Sequence, residues 1–132
     1  MNILNDKYEI ANFIAGSGGT SNGSLVVISS GKVIKATDPV TAATLVGIAL
    51  ETADADAVVP VAVLQDGAKL IAPYTGSIKT SITAADYGKV FDLSTDLVVD
   101  LDDTTGGCAL CVGWDNNVGT ITFMVPKSFL YL

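Results

Sequence analysis

Residues Gly23 to Leu50 read GSLVVISSGKVIKATDPVTAATLVGIAL, and this stretch decides the fold class. Short apolar runs stand between turn signals with few charges to interrupt them, the pattern of buried β-strands. Leu25 to Ser29, the pair Ser30-Gly31 and Lys32 to Ala36 make a β-hairpin. Thr37-Asp38-Pro39 ends it, because proline has no amide hydrogen to give to a ladder and holds its predecessor extended. Val40 to Thr44 is then a link. Leu45 to Leu50 resumes a strand, in which Gly47 marks a bulge or a close approach of neighbouring backbone.

Towards the C-terminus the same alternation of runs and turns continues. Glu51 to Ala57 is an acidic loop or a helical turn. Its Asp54 and Asp56 lack the Gly and terminal Glu of a calcium-binding loop and read as solvated. Val58 to Leu64 is a buried run that Pro60 demotes to an edge or a bulge. Asp66-Gly67 joins it as a hairpin to Ala68 to Ala72, and Pro73 to Gly76 turns again. Ser77 to Ile82 alternates like a strand, and Thr83-Ala84-Ala85-Asp86 has the form of a capping box opening a single helical turn that ends at Gly88. Two further strands, Lys89 to Leu93 and Leu97 to Leu101, flank Ser94-Thr95-Asp96. The acidic group Asp100, Asp102 and Asp103 fits a solvated strand edge better than a metal site, because Val99 and Leu101 alternate with it.

Cys108 and Cys111 form a CxxC with neither a helix to activate a thiol nor a second ligand pair to complete a zinc site. They read as two free cysteines on a core strand, turned to opposite faces and therefore unsuited to pairing with each other. Gly119 to Val125 alternates Ile121, Phe123 and Val125 with Thr120, Thr122 and Met124 up to Pro126, and the apolar Phe129 to Leu132 must dock somewhere. Many short strands and no sustained helical period give an all-β fold, a small β-barrel or sandwich.

The first 22 residues stand apart. Ala15 to Ser24 is a Gly/Ser/Thr/Asn cluster that reads as a linker or long loop. Before it, Ile3, Leu4, Tyr8, Ile10, Phe13 and Ile14 have no apolar partner within their own segment. Such a segment is either a first strand docked on the domain's own sheet or an arm that orders on a neighbouring subunit. The expected division is a flexible N-terminal arm and linker over residues 1–22 and a barrel or sandwich domain over residues 23–132, with residues 1–14 dispensable for folding.

Composition narrows the function. Seven Lys, no Arg and no His face 14 acidic residues, a net charge of -7. Nucleic-acid binding relies on cations to neutralise phosphate and on Arg for bidentate contacts, so it is not expected. Without His, neither a Ser-His-Asp nor a Cys-His site can form within the chain, and no motif for another catalytic arrangement, a cofactor or a metal is present, so no enzyme is expected. No apolar run approaches the roughly 20 residues of a membrane-spanning helix. Met1 to Ile14, with Asp6 and Glu9, lacks the basic start and apolar run of a signal peptide, so synthesis in the cytoplasm is expected.

The succession Gly23 to Val27, Gly31, Gly47-Ile48-Ala49-Leu50, Val61 to Leu64 and Asp66-Gly67 resembles the small β-barrel core of phage head decoration (cement) proteins. Ile82 to Leu93, ITAADYGKVFDL, is similar to a segment of the same class of capsid proteins. The resemblance implies a structural protein on the outer surface of an icosahedral head, a homotrimer that binds the major capsid protein, carries no catalytic residue and resides in the virion. Ile3, Leu4, Tyr8, Ile10, Phe13 and Ile14 are then the expected capsid contacts, with Ile10, Phe13 and Ile14 exposed in the free protein. The alternative is a carbohydrate- or receptor-binding module of a phage tail or fibre, with Tyr74, Tyr87 or Trp114 as an aromatic platform and Asp115, Asn116 and Asn117 beside the Trp.

Overall fold

A computed structural model, which describes all 132 residues, contains eleven strands and two 3-10 turns of three residues each. The strands are β1 (Asn2–Ile3), β2 (Tyr8–Ile14), β3 (Leu25–Ser29), β4 (Lys32–Lys35), β5 (Leu45–Ala49) and β6 (Val58–Leu64). They continue with β7 (Lys69–Thr75), β8 (Val90–Thr95), β9 (Val98–Asp100), β10 (Ala109–Asp115) and β11 (Thr120–Met124). The all-β expectation holds, and the fold is built from two sheets.

The first sheet has the order β1-β7-β11-β10-β8-β9 and closes on itself, because β9 also pairs in parallel with the end of β7 through Tyr74 and Val99. β1 takes the other half of the same β7 edge, opposite Leu70 and Ile71. The second sheet has the order β2-β6-β5-β3-β4. Its two ends meet where Ala15 bridges Val33 and the Gly16 amide donates to the Val33 carbonyl at 2.7 Å. Each sheet therefore wraps a core of its own. Inside the second lie Ala15, Val26, Val33, Val46, Ala49, Val59, Val61 and Val63, all small because a tight barrel leaves little interior volume. The larger cluster fills the first barrel with Phe91, Phe123, Ile121 and Leu70 and reaches Leu25, Leu45, Ile48 and Leu64 of the second sheet. β5 and β6 are thus apolar on both faces, one facing its own barrel and the other the seam.

The hairpin of β3 and β4 forms in the expected register, with Ser30 and Gly31 both at positive φ as a two-residue turn of this twist requires. Gly47 is a close approach: a Cβ there would collide with the Ala62 carbonyl of β6. Leu130 is buried, bridges Leu45, and docks the C-terminus on the larger core.

Four expectations are corrected. The segment 1–22 is not a free arm, because β1 belongs to the first sheet and β2 pairs with all seven residues of β6, from Tyr8 opposite Leu64 to Ile14 opposite Val58. Thr20 then bridges Ala53, so the Gly-rich link is also held. Removing residues 1–14 would strip a strand from each sheet. Secondly, Asp66-Gly67 makes a turn, but β6 and β7 enter different sheets. The N-terminal segment takes the place of the hairpin ladder: the Leu4 amide donates to the Lys69 carbonyl, the Gln65 amide donates to the Lys7 carbonyl, and the Asn5 side chain bonds both Gly67 and Lys69. Two antiparallel segments cross side by side from one barrel to the other.

Thirdly, Pro60 lies on an interior strand rather than an edge. Its carbonyl accepts from the Leu50 amide just past the end of β5, so its missing N–H falls where that ladder has run out. Fourthly, Ser77 to Ile82 is not a strand. The Asp102 carboxylate accepts the amides of Ser77, Ile78 and Lys79, between 2.7 and 3.3 Å, and satisfies donors that a neighbouring strand would otherwise take.

Candidate docking face and carboxylate cluster

β2 is an end strand of its sheet, and its two faces differ. Phe13 turns inward against the small barrel core and is half-buried, which corrects its expected exposure. Tyr8, Ile10 and Ile14 lie on the other face and are exposed, Ile10 at 62 %. Ile14 stands opposite Val58, itself 59 % exposed, so the apolar face extends onto β6. Ile3 is half-buried on the larger core, whereas Leu4 beside it is exposed.

Ile10 is the ridge between two shallow grooves. One, of about 350 Å³, runs along the seam of the barrels, with Met1, Ile3 and Tyr8 on its sides and Ile48 and Ala62 at its base. The other, of about 310 Å³, lies towards Gln65, Asp66 and the exposed Leu132. Of the six residues expected as contacts, the fold brings Tyr8, Ile10 and Ile14 onto one strand face and assigns Ile3 and Phe13 to packing. Val58 was missed, because the run Val58 to Leu64 gives no sign that its first residue projects past the barrel.

The aromatic platform does not assemble in the expected form. Trp114 packs partly buried against the larger core. The Tyr74 hydroxyl donates to Asn116 Oδ1 at 2.8 Å, and Asn116 also receives the Ile82 amide and donates to the Ile82 carbonyl. Asp115 accepts the amides of Asn117 and Val118 within its own turn. Tyr87 alone of the three aromatics is exposed.

The acidic groups sort into different tasks. Asp56 forms an exposed pair with Lys32 at 2.6 Å. Asp86, the last residue of the capping box, is buried and receives the Thr83 amide at 2.8 Å together with Lys79 and Lys89, at 2.8 and 3.2 Å. Hydrogen bonds from Lys79 first and then from Thr83 hold its carboxyl well below the usual carboxylate range. Asp100 accepts the Asp102 amide, and Asp102 caps the Ser77 to Lys79 loop.

Asp103 belongs elsewhere. One carboxylate oxygen each from Asp38, Asp92 and Asp103 lie within 4.8 Å of one another. Asp38 is exposed in the link between β4 and β5, Asp92 is fully buried in the middle of β8, and Asp103 is half-buried in the loop before β10. The Asp92 amide donates to the Asp103 carbonyl at 2.9 Å, which fixes the two residues side by side. Burial, and then the neighbouring Asp38 carboxyl, push the Asp92 carboxyl well above its usual range. Cys108 lies in the same field. Its thiol is pushed up to about 12 by burial first and by Asp92 next, so it is an inert core thiol, and Cys111 is likewise buried and free.

Neither a protein-family model nor a curated protein matches the chain. No helix is long and apolar enough to cross a membrane.

Proposed function

We propose that this protein is a phage head decoration protein, seated on the outer surface of the head and bridging neighbouring major capsid subunits. The observation that carries the proposal is the apolar face of Tyr8, Ile10, Ile14 and Val58 on an end strand, flanked by two grooves. Exposed apolar side chains gathered on one strand face, interrupted only by Asn12, on a chain with net charge -7, are suited to a partner surface rather than to bulk water. The outer edge of β2 meets β4 only at its far end, where Ala15 and Gly16 reach Val33, and towards Tyr8 it has no strand beside it, so a strand of the capsid protein can pair there. The sequence resemblance to head decoration proteins points the same way and adds two expectations, a homotrimer and residence in the virion. The protein acts by contact alone and needs no cofactor in this reading.

The test is cosedimentation of the purified protein with phage heads that lack it. Saturable binding at a fixed ratio to the major capsid protein is the expected result. A monodisperse protein that stays in the supernatant at every concentration overturns the proposal.

A further inference from the structure

The cluster of Asp38, Asp92 and Asp103 has no part in the docking face, and three carboxylates held together need an explanation of their own. Mutual repulsion in a partly buried place opposes folding unless something offsets it. Asp92 is the decisive member. It is 0 % exposed, and its Oδ1 accepts the Leu93 amide at 2.8 Å. Its Oδ2 is buried without any hydrogen-bond donor. One Asp92 oxygen lies within 4.8 Å of an oxygen of each of the other two carboxylates, and Oδ2 is the one that no donor satisfies. A buried carboxylate oxygen without a donor costs stability, ionised Asp38 and Asp103 can supply none, and either a proton on Asp92 or a bound cation offsets the charge.

We propose that Asp38, Asp92 and Asp103 bind a hard divalent cation, Ca2+ foremost, and that the ion ties the two barrels together. The ligand atoms are all carboxylate oxygens, the chemistry that hard cations select. Two oxygens on one Ca2+ lie at most about 5 Å apart, twice a bond of 2.3–2.6 Å. The separations here, none above 4.8 Å, are within that reach. Mg2+ bonds are shorter, at about 2.1 Å, and would draw the three inward. Ca2+ also accepts water and carbonyl oxygens freely, so the exposed side at Asp38 can complete its shell. Asp103 keeps an oxygen for the ion, since only its Oδ1 is used by the Thr105 amide. The three ligands come from the β4–β5 link of one sheet and from β8 and the β9–β10 loop of the other. An ion there joins segments that are otherwise far apart in the chain, and binding the folded state alone raises stability by mass action.

This inference is independent of head binding and is tested on the isolated full-length chain. Calorimetric titration with CaCl2, and separately with MgCl2, follows removal of adventitious metal with a chelator. Thermal unfolding is measured in chelator and in each salt. The expected result is one Ca2+ per chain, a saturable rise in Tm with Ca2+, and a smaller rise with Mg2+. Asp103→Asn and Asp38→Asn lie outside the fully buried interior and are expected to retain the fold, so they are the diagnostic variants. Each is expected to weaken Ca2+ binding by at least about tenfold, the lower end of what loss of an outer partner alone costs. Equal Tm in chelator and in both salts, with no heat of binding, overturns the proposal. So does Ca2+ binding of unchanged affinity in both variants, since the ion would then lie elsewhere.

Discussion

Ile14 on β2 lies directly across from Val58 on β6, and both side chains are exposed. Cross-strand apolar pairs contribute about 0.2–1 kcal/mol wherever they stand, but a pair left in water gives the fold little else. Replacing both residues at once by a pair of opposite charge, Ile14→Lys with Val58→Glu, keeps an attraction across the ladder and removes the Ile14–Val58 half of the apolar face. The double variant is expected to unfold within about 1 kcal/mol of the parent and to lose saturable binding to heads. Undiminished occupancy of the heads would take the Ile14–Val58 pair out of the interface.

Gly47 tests the seam between β5 and β6. A Cβ at this position meets the Ala62 carbonyl oxygen, which belongs to backbone and cannot swing aside. Gly47→Ala is expected to destabilise by about 1–3 kcal/mol or more, the range for overpacking a filled interior. Gly31→Ala is the control: its φ of +77° favours glycine, but no atom lies in the way. Denaturant midpoints should rank Gly47→Ala as the more damaging, and the reverse order would contradict the close approach.

The Asp102 carboxylate organises a loop that alternation alone assigns to a strand. Its carboxyl is held down to about 2 by the amides of Lys79, Ser77 and Ile78. Asp102→Ala frees those donors to water, so amide exchange at 77–79 should accelerate while exchange in β10 and β11 stays as it was. If exchange at 77–79 is unaltered, the carboxylate is not what holds the loop.

These residues also mark where the sequence is informative. Strands β3 to β6 are legible because their apolar runs and turn residues agree locally, and Thr83 with Asp86 announces a turn by spacing alone. Ser77 to Ile82 misleads because its alternation is real while the partner that takes its amides lies more than twenty residues away, at Asp102. The N-terminal segment misleads for a related reason. The strength of Asp66-Gly67 as a hairpin signal hides that β6 and β7 part, and the space that opens is filled by residues 4–7. Of the candidate sites, Ile10 and Ile14 are legible as apolar residues in search of a partner. Asp38, Asp92 and Asp103 are not, since they come from the break after a hairpin, a strand and an acidic run that nothing in the local sequence connects until the fold brings them together.

Asp86 gives the acid limb of stability a specific origin. It is buried, paired with Lys79 and Lys89, and bonded to the Thr83 amide, so its folded carboxyl stays ionised far into acid. In the unfolded chain an aspartate titrates near about 3.9. A depressed folded value means that the unfolded state takes up protons first as the pH falls. The stabilisation from Asp86 is therefore fully present above about pH 5 and declines as the pH drops through the unfolded value towards the folded one. Asp86→Asn removes the charge that both lysines and the turn depend on, and is expected to cost about 1–3 kcal/mol at neutral pH. Its stability should also fall less steeply than the parent's below pH 4, so the two curves converge in acid. Denaturant unfolding of both proteins across the acid range checks this, and a gap that stays constant down to the lowest pH would show that the pairing of Asp86 contributes nothing to it.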